Sequence, residues 1–239
     1  MPAFQQLHRW DVTPKKAIEI QQRLRSMVSV TGLEKELRSV AGCDISFDKG
    51  SDIVYAGIVV LEPPALLEIG RSTTIAQVKF PYIPGLLSFR ESPALLEAWE
   101  KLKVQPDLVM IDGQGYAHPR RFGIASHFGV LVDLPTVGCA KTVLVGRYEA
   151  PEAKAGSSSP LLDREETIGV ALRTQDGVNP VFVSVGHRIN LDSAIEVVMR
   201  CTKDYRIPEP TRQAHLLVNA LRRGEEPKGF QAGHQESLF

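Results

Sequence analysis

The stretch "SVAGCDISF", residues 39–47, decides the fold class. Its side chains alternate, which predicts a β-strand with Gly42, Asp44 and Ser46 on one face and larger apolar residues on the other. Two further β-branched runs follow it, and the intervening segments "DKGS" and "PPALLEIG" are typical of turns. We therefore expect three successive antiparallel strands, the second and third over "DIVYAGIVVLE" at 52–62 and "STTIAQVKF" at 72–80.

Beyond this meander, apolar periodicities of helix and strand alternate along the chain. Before the meander, Asp11 or Thr13 can cap a helix whose first residue is Pro14. Ser92 is expected to start a helix together with Pro93. The whole pattern predicts an α/β fold, a mixed sheet of three antiparallel strands followed by parallel strands and flanked by helices. Strands are expected at 107–112, 135–141, 142–146, 167–173 and 180–185, and helices at 120–133, 191–201 and 211–221, with a surface loop at 149–160.

Composition bounds the class of protein. The 239 residues, 43% hydrophobic, suit one catalytic domain over 1–223, and the polar stretch 224–239 is predicted to be a mobile tail. The 28 basic residues balance the 28 acidic ones, so net charge selects no partner. No stretch has the ~20 apolar residues of a membrane span. We expect a soluble cytoplasmic protein without a membrane partner, whose scattered Cys43, Cys139 and Cys201 are small buried residues.

Carboxylates at unusual positions carry the strongest chemical signal. Asp44 lies within a strand, Asp112 ends the apolar run "LVMID", and Glu91 ends "FPYIPGLLSFRE". A partly buried carboxylate is costly unless it is paired or binds a metal. Oxygen ligands of this kind suit Mg²⁺ or Mn²⁺, which assist phosphodiester hydrolysis. Spacing alone leaves a structural alternative open: Asp112 as a turn cap, Glu91 as a solvated residue ahead of its helix and Asp44 paired with a lysine.

The segment "DGQGYAHPRRFG", residues 112–123, and the later "VGCAKT" have the composition of ligand-binding loops. Neither matches a dinucleotide or phosphate-loop motif. Gly113 permits a ligand close to the backbone, and His118 and two arginines follow it; a tight turn with exposed arginines is the alternative. Lys141 can reach a phosphate oxygen or lie on the surface, and spacing alone favours a structural role for His215.

In this order, "GCDIS", "PYIPGLLSFRE", "DGQGYAHPRRFGIASHFG" and "GCAKT" resemble endonuclease V, a deoxyinosine-specific repair nuclease with a ribonuclease H-like fold. The resemblance spans about residues 41–215. It implies that Asp44, Glu91 and Asp112 bind metal, with Lys141 and His215 in supporting roles. It also implies cleavage of the second phosphodiester bond 3′ to a deaminated adenine in DNA, leaving 3′-hydroxyl and 5′-phosphate ends.

The proline loop, residues 80–86, gains a function from this resemblance. Pro81 and Pro84 restrict the backbone, so Tyr82 and Ile83 are presented with little entropy left to lose on binding. Aromatic and apolar side chains of this kind enter base steps and help to extrude a lesion. We expect the loop to act as a wedge whose chain continues to Glu91.

The extruded base would be distinguished by its hydrogen-bonding edge. Hypoxanthine presents an acceptor O6 and a donor N1–H where adenine presents the reverse, so backbone groups near Gly85, Leu87 and Gly113 can separate the two. Guanine shares this edge and must be refused by lack of room for its 2-amino group. Two alternatives stay open: a non-catalytic nucleic-acid-binding module, and an endoribonuclease specific for inosine in RNA.

The end of the chain, "QESLF", resembles the short motif by which bacterial repair and replication proteins bind the sliding clamp. Gln235 would form a hydrogen bond at a pocket rim, and Leu238 and Phe239 would fill an apolar cleft. The alternative is an incidental apolar pair. We otherwise expect a monomer.

Overall fold

A computed structural model describes residues 3–33 and 35–225. Its centre is a single eight-stranded sheet with the strand order β3-β2-β1-β4-β5-β8-β7-β6. The strands are β1 (Val40–Phe47), β2 (Ile53–Glu62), β3 (Leu67–Gln77), β4 (Leu108–Ile111), β5 (Thr136–Ala140), β6 (Ser158–Asp163), β7 (Glu166–Leu172) and β8 (Val181–His187).

The sheet is mixed, as the sequence predicts. β1, β2 and β3 form the antiparallel meander, whereas β1, β4 and β5 run parallel to one another. The remaining strands, β8, β7 and β6, add antiparallel pairs on the far side of β5. The carboxyl ends of β1, β4 and β5 therefore lie side by side, where open α/β sheets hold their ligands.

The described residues form five α-helices, four of which cover the two faces of the sheet. They are α1 (Pro14–Leu24), α2 (Leu87–Lys101), α3 (Ile124–Val132), α4 (Leu191–Arg200) and α5 (Glu209–Arg222). α2 and α3 pack on the face of β1 that carries Cys43, and α1 packs outside them against Phe80 and Phe89. α4 and α5 pack on the opposite face, where Ala194, Val198 and Leu217 join the core.

Four sequence-based assignments were wrong. α2 begins at Leu87 and contains Pro93, because burial of Phe89, Leu95 and Trp99 stabilises a helix that spans the proline. Residues 142–146 form no strand: Leu144 is exposed and Gly146 has a φ of 96°, so the apolar run belongs to a loop. "LEIG" belongs to β3, and the end of the expected loop at 149–160 forms the edge strand β6.

Other predictions were confirmed. Thr13 caps α1, with its Oγ1 accepting a hydrogen bond from the Lys16 backbone N–H at 3.3 Å. Cys43, Cys139 and Cys201 are buried and unpaired. Among the described residues, no helix combines the length and apolarity that a membrane span requires.

Candidate active site

Two aspartates lie side by side where β4 ends next to β1. Cys43 of β1 is in register with Ile111 of β4, so the next residues, Asp44 and Asp112, are neighbours. The Asp112 backbone N–H donates to the Cys43 carbonyl oxygen at 3.2 Å, which continues the pairing past the end of β4. Carboxylate oxygens of both aspartates and a ring nitrogen of His215 lie within 4.8 Å of one another. These are ligand types and spacings that suit a divalent cation.

His215 belongs to α5, which packs on the face of the sheet opposite to α2 and α3, and its side chain reaches the two aspartates. α5 packs directly on β1 because Gly42 has no side chain: a Cβ there would lie 1.9 Å from the Pro210 carbonyl oxygen. The Nδ1 of His215 lies 2.7 Å from Oδ2 of Asp44. Its Nε2 lies 3.1 Å from the Asn219 Nδ2, one turn further along α5. The amide donates to Nε2, so a neutral ring carries its proton on Nδ1 and donates it to Asp44.

Glu91 lies on the first turns of α2, next to the aspartates. Burial, together with the negative charges of Asp44 and Asp112, raises the pKa of its carboxyl to about 8, and Arg90 opposes this only in part. Burial and Asp44 likewise raise the pKa of Asp112, against the lowering effect of Lys141. Neighbouring negative charge thus disfavours ionisation of Glu91 and Asp112, so added positive charge would stabilise their ionised forms.

Lys141 follows β5 and forms an ion pair with Asp112. Its side chain is 38% exposed and forms part of the wall of a pocket. The five predicted active-site residues thus converge, although they come from β1, from the residues just after β4 and β5, and from two helices.

A pocket of about 430 Å³ adjoins the carboxylates. Glu91, Asp112 and Lys141 form one part of its wall. The predicted lesion-binding residues form another: Tyr82, Gly85, Leu87, Gly113 and His118. Tyr82 is 58% exposed at the pocket mouth.

Three of the predicted lesion-binding residues, all in the proline loop, lie outside this pocket wall. Pro81 and Pro84 are exposed, and the half-buried Ile83 packs towards the cluster that holds Phe80 and Phe89. Gln235, Leu238 and Phe239 lie outside the described residues.

The two arginines that follow His118 form hydrogen bonds and ion pairs within the protein. The Arg120 side chain donates to the Gly85 carbonyl oxygen at 2.6 Å, and Arg121 pairs with Asp163 and Glu166. Sequence reasoning treated these arginines as either ligand-facing or exposed. Arg121 is instead 8% exposed, because the acidic ends of β6 and β7 cover it.

His118 is buried in the pocket wall. Its Nε2 donates to the Gly85 carbonyl oxygen at 2.9 Å, and its Nδ1 accepts from the Arg120 backbone N–H at 3.1 Å. Burial, with smaller contributions from Arg120 and Arg121, lowers the pKa of His118 to about 4. The side chain therefore serves as a neutral donor with a fixed tautomer.

Sequence reasoning missed Asn219 and Gln21. Asn219 follows His215 by four residues, and this spacing on a helix is a signal that the two share a face. Gln21 is only 1% exposed although polar, and it forms part of the pocket wall. Its apolar-periodic helix signals burial, but no local pattern connects it to residues 64 and 101 positions away.

A mixed sheet flanked by helices, with aspartates beside each other on β1 and after β4 and with an adjoining pocket, fits the ribonuclease H-like class of nuclease that the sequence predicts. The chain belongs to the Endonuclease V family, whose family model matches residues 22–216. Endonuclease V of Gloeobacter violaceus is 51% identical over 224 residues, which cover 92% of this chain and 91% of the relative.

Solved structures agree with this assignment. Endonuclease V of Streptomyces avermitilis superposes with a TM-score of 0.85 at 46% identity, over 90% of this chain and 96% of that chain. Ciona intestinalis Endonuclease V, in complex with a 24mer DNA containing an inosine followed by a ribo-adenosine, gives a TM-score of 0.76 at 28% identity. That match covers 88% of this chain and 98% of the other.

Proposed function

We propose that this endonuclease recognises deoxyinosine in DNA and hydrolyses the second phosphodiester bond 3′ to it, leaving 3′-hydroxyl and 5′-phosphate ends. The observation that carries the proposal is the convergence of Asp44, Asp112 and His215 within 4.8 Å beside a pocket of about 430 Å³. The inosine-containing DNA held by the Ciona relative supports the same choice of substrate.

We propose Mg²⁺ as the cofactor, with Mn²⁺ able to substitute, held by Asp44, Glu91 and Asp112. The donor set fits, because burial and neighbouring negative charge raise the pKa of Glu91 and Asp112, and a divalent cation would favour their ionised forms. When bound, such a cation supplies charge neutralisation at the scissile phosphate and lowers the pKa of water.

The chain's own residues orient the reacting groups. His215 donates its Nδ1 proton to Asp44, which holds that carboxylate towards the neighbouring Asp112. Lys141, paired with Asp112 and partly exposed, is placed to approach a phosphate oxygen. Lys141 thereby places positive charge where negative charge develops during hydrolysis.

The pocket next to these residues would take the extruded base. Backbone groups at Gly85, Leu87 and Gly113 can match the O6 acceptor and N1–H donor of hypoxanthine and mismatch adenine. Tyr82, exposed at the mouth, can fill the space that the base leaves in the stack. Pro81, Ile83 and Pro84 would support this wedge from outside the pocket, by restricting and packing the loop.

The proline loop also connects recognition to chemistry. It ends at Leu86, and α2 begins at the next residue and carries Glu91 just over one turn later. A base seated against Gly85 and Leu87 therefore fixes the helix that presents Glu91. This short connection would place the scissile phosphate relative to the lesion.

Parallel single-turnover assays on matched DNA and RNA oligonucleotides, each with one inosine, test the choice of substrate. We expect Mg²⁺-dependent cleavage of the deoxyinosine strand to be faster, with no cleavage in EDTA. Faster cleavage of the riboinosine strand would identify an endoribonuclease. Lesion binding without cleavage of either strand would identify a binding module.

We further propose a cytoplasmic monomer with one catalytic domain over residues 1–223 and a tail over 224–239 that binds the sliding clamp through Gln235, Leu238 and Phe239. The motif in the sequence supports the clamp contact, and three unpaired buried cysteines fit a reducing compartment. A tail peptide should bind the clamp with micromolar affinity, about −8 kcal/mol. Leu238→Ala combined with Phe239→Ala should abolish this binding and leave nicking of short oligonucleotides unchanged.

A further inference from the structure

One buried side chain ties together two segments that form the walls of the base pocket. The Nε2 of Gln21 donates to the Gly85 carbonyl oxygen at 3.1 Å and to the Phe122 carbonyl oxygen at 3.2 Å. Gly85 belongs to the proline loop, and Phe122 precedes Gly123, which caps α3 and forms part of the pocket wall. Gln21 thus bridges the two segments from α1, a helix outside the sheet layers.

The orientation of the Gln21 amide is determined by its partners. Both carbonyl oxygens can only accept, so the NH₂ group must face them. The Nε of Arg120 donates to the Gln21 Oε1 at 2.6 Å, and a guanidinium can only donate. A flipped amide would oppose oxygen to both carbonyls and nitrogen to Arg120. Every contact of the side chain therefore supports one arrangement.

The Gly85 end of this bridge is held by three hydrogen bonds, of which Gln21 donates one. Its carbonyl oxygen accepts from Gln21, His118 and Arg120 at 3.1, 2.9 and 2.6 Å. Gly85 has a φ of 79°, and a Cβ there would lie 3.0 Å from an Arg120 nitrogen and 3.4 Å from the His118 Nε2. The end of the proline loop is thereby fixed where the pocket begins.

We infer that Gln21 is a positioning residue that sets the width of the base pocket and so excludes guanine. The inference rests on the proposed function. Hypoxanthine and guanine share their O6 and N1–H groups and differ by the 2-amino group of guanine. Hydrogen bonds made by the backbone cannot distinguish these two bases at the shared edge. The space between the walls can, and the Gln21 amide is the contact that joins Gly85 in one wall to Phe122 beside the other.

Gln21→Met tests this role, because methionine keeps the length and approximate volume of the side chain but removes all three hydrogen bonds. Gln22→Met is the matched control at the next position, where the glutamine is exposed. Affinities are measured in EDTA, without cleavage, for single-stranded oligonucleotides that differ only in carrying hypoxanthine, guanine or adenine at one position. The readout is the ratio of the guanine and hypoxanthine dissociation constants.

We expect Gln21→Met to reduce this ratio about tenfold and Gln22→Met to leave it unchanged. A merely structural loss would weaken both complexes equally, so an unchanged ratio in Gln21→Met would overturn the inference. If that variant fails to fold, Gln21→Asn, whose amide is one methylene too short to span both carbonyls, is held to the same criterion. A wild-type protein without preference for hypoxanthine over adenine would instead contradict the proposed function, and the inference with it.

Discussion

The Nδ1 of His215 lies 2.7 Å from Oδ2 of Asp44, and this contact joins α5 to the central strand of the sheet. It forms because α5 approaches β1 at Gly42, where no side chain intervenes. The second face of the sheet therefore takes part in the site, although the pocket lies at the strand ends. The close packing of α5 on β1 thus sets the position of the His215 imidazole.

Gly42→Ala should separate this pair. The added Cβ would lie 1.9 Å from the Pro210 carbonyl oxygen, so α5 must move away from β1. We expect a loss of about 3 kcal/mol in the free energy of unfolding and a tenfold to hundredfold loss of turnover, of the order that small misplacements produce. Denaturant melts and single-turnover nicking measure both.

Gly32→Ala is the control for this substitution. Its added Cβ meets only the Asn190 side chain, at an ordinary contact distance of 3.6 Å. Turnover of Gly42→Ala that equals the control's would show that the position of α5 does not matter to catalysis.

Asp44→Asn and Asp112→Asn should each abolish Mg²⁺-dependent nicking and leave lesion binding largely intact. Each substitution removes a carboxylate charge from the cluster but changes no wall of the base pocket apart from one side-chain terminus. Nicking rates and dissociation constants for inosine-containing DNA separate the two effects. The control is Asp192→Asn, an exposed residue at the start of α4. Near-normal turnover in either variant would remove that aspartate from the mechanism.

Tyr82→Ala should weaken binding to inosine in duplex DNA about tenfold more than binding to inosine in a single strand. The ring is 58% exposed at the pocket mouth, and a wedge matters most where a base stack must be opened. Tyr205→Ala removes a comparably exposed ring that stacks on Arg212 and provides the control. Equal losses on both substrates would assign Tyr82 to the base pocket instead.

His118 should remain neutral down to about pH 4. Its pKa in the folded protein is lowered to about 4 from 6.5, so the unfolded chain binds the additional proton between these values. The stabilisation is complete above pH 6.5 and is lost as the pH falls towards 4, by about 3 kcal/mol. An NMR titration of the His118 ring measures the midpoint directly, and the nitrogen shifts report the Nε2–H tautomer.

His118→Gln is the matched variant, because its amide can donate to Gly85 but does not titrate. The difference between wild-type and variant stability should shrink as the pH falls from 6.5 to 4. A titration midpoint near 6.5 would contradict the buried donor role of His118.

The sequence predicts the sheet well because β1 and β2 are β-branched, partly alternating runs bounded by turn residues, and these signals are local. Asp44 can also be identified as a candidate site residue from its own strand, since a charged residue among apolar ones requires an explanation. Glu91 does not: its helix was expected to begin after it, at Ser92, because a proline at position 93 is typical of a first turn. Tertiary burial of Phe89 against α1 extends the helix in the N-terminal direction.

Contacts distant in sequence were beyond prediction. Gln21 interacts with residues 64 and 101 positions away, and nothing in its own helix indicates those partners. The sequence around Arg121 does not indicate its pairing with Asp163 and Glu166 either, because those residues lie in strands far along the chain from it. Convergence of the predicted active-site residues was inferred from family resemblance and could not be derived from spacing.

The most direct test of the account is to map the cut in a duplex that carries a single deoxyinosine, with the strands labelled separately, in Mg²⁺ and in EDTA. The account predicts one nick in the inosine strand at the second phosphodiester bond on its 3′ side, with 3′-hydroxyl and 5′-phosphate ends and none in EDTA. Cleavage at adenine-containing control duplexes at the same rate, or cleavage that persists in EDTA, would contradict it.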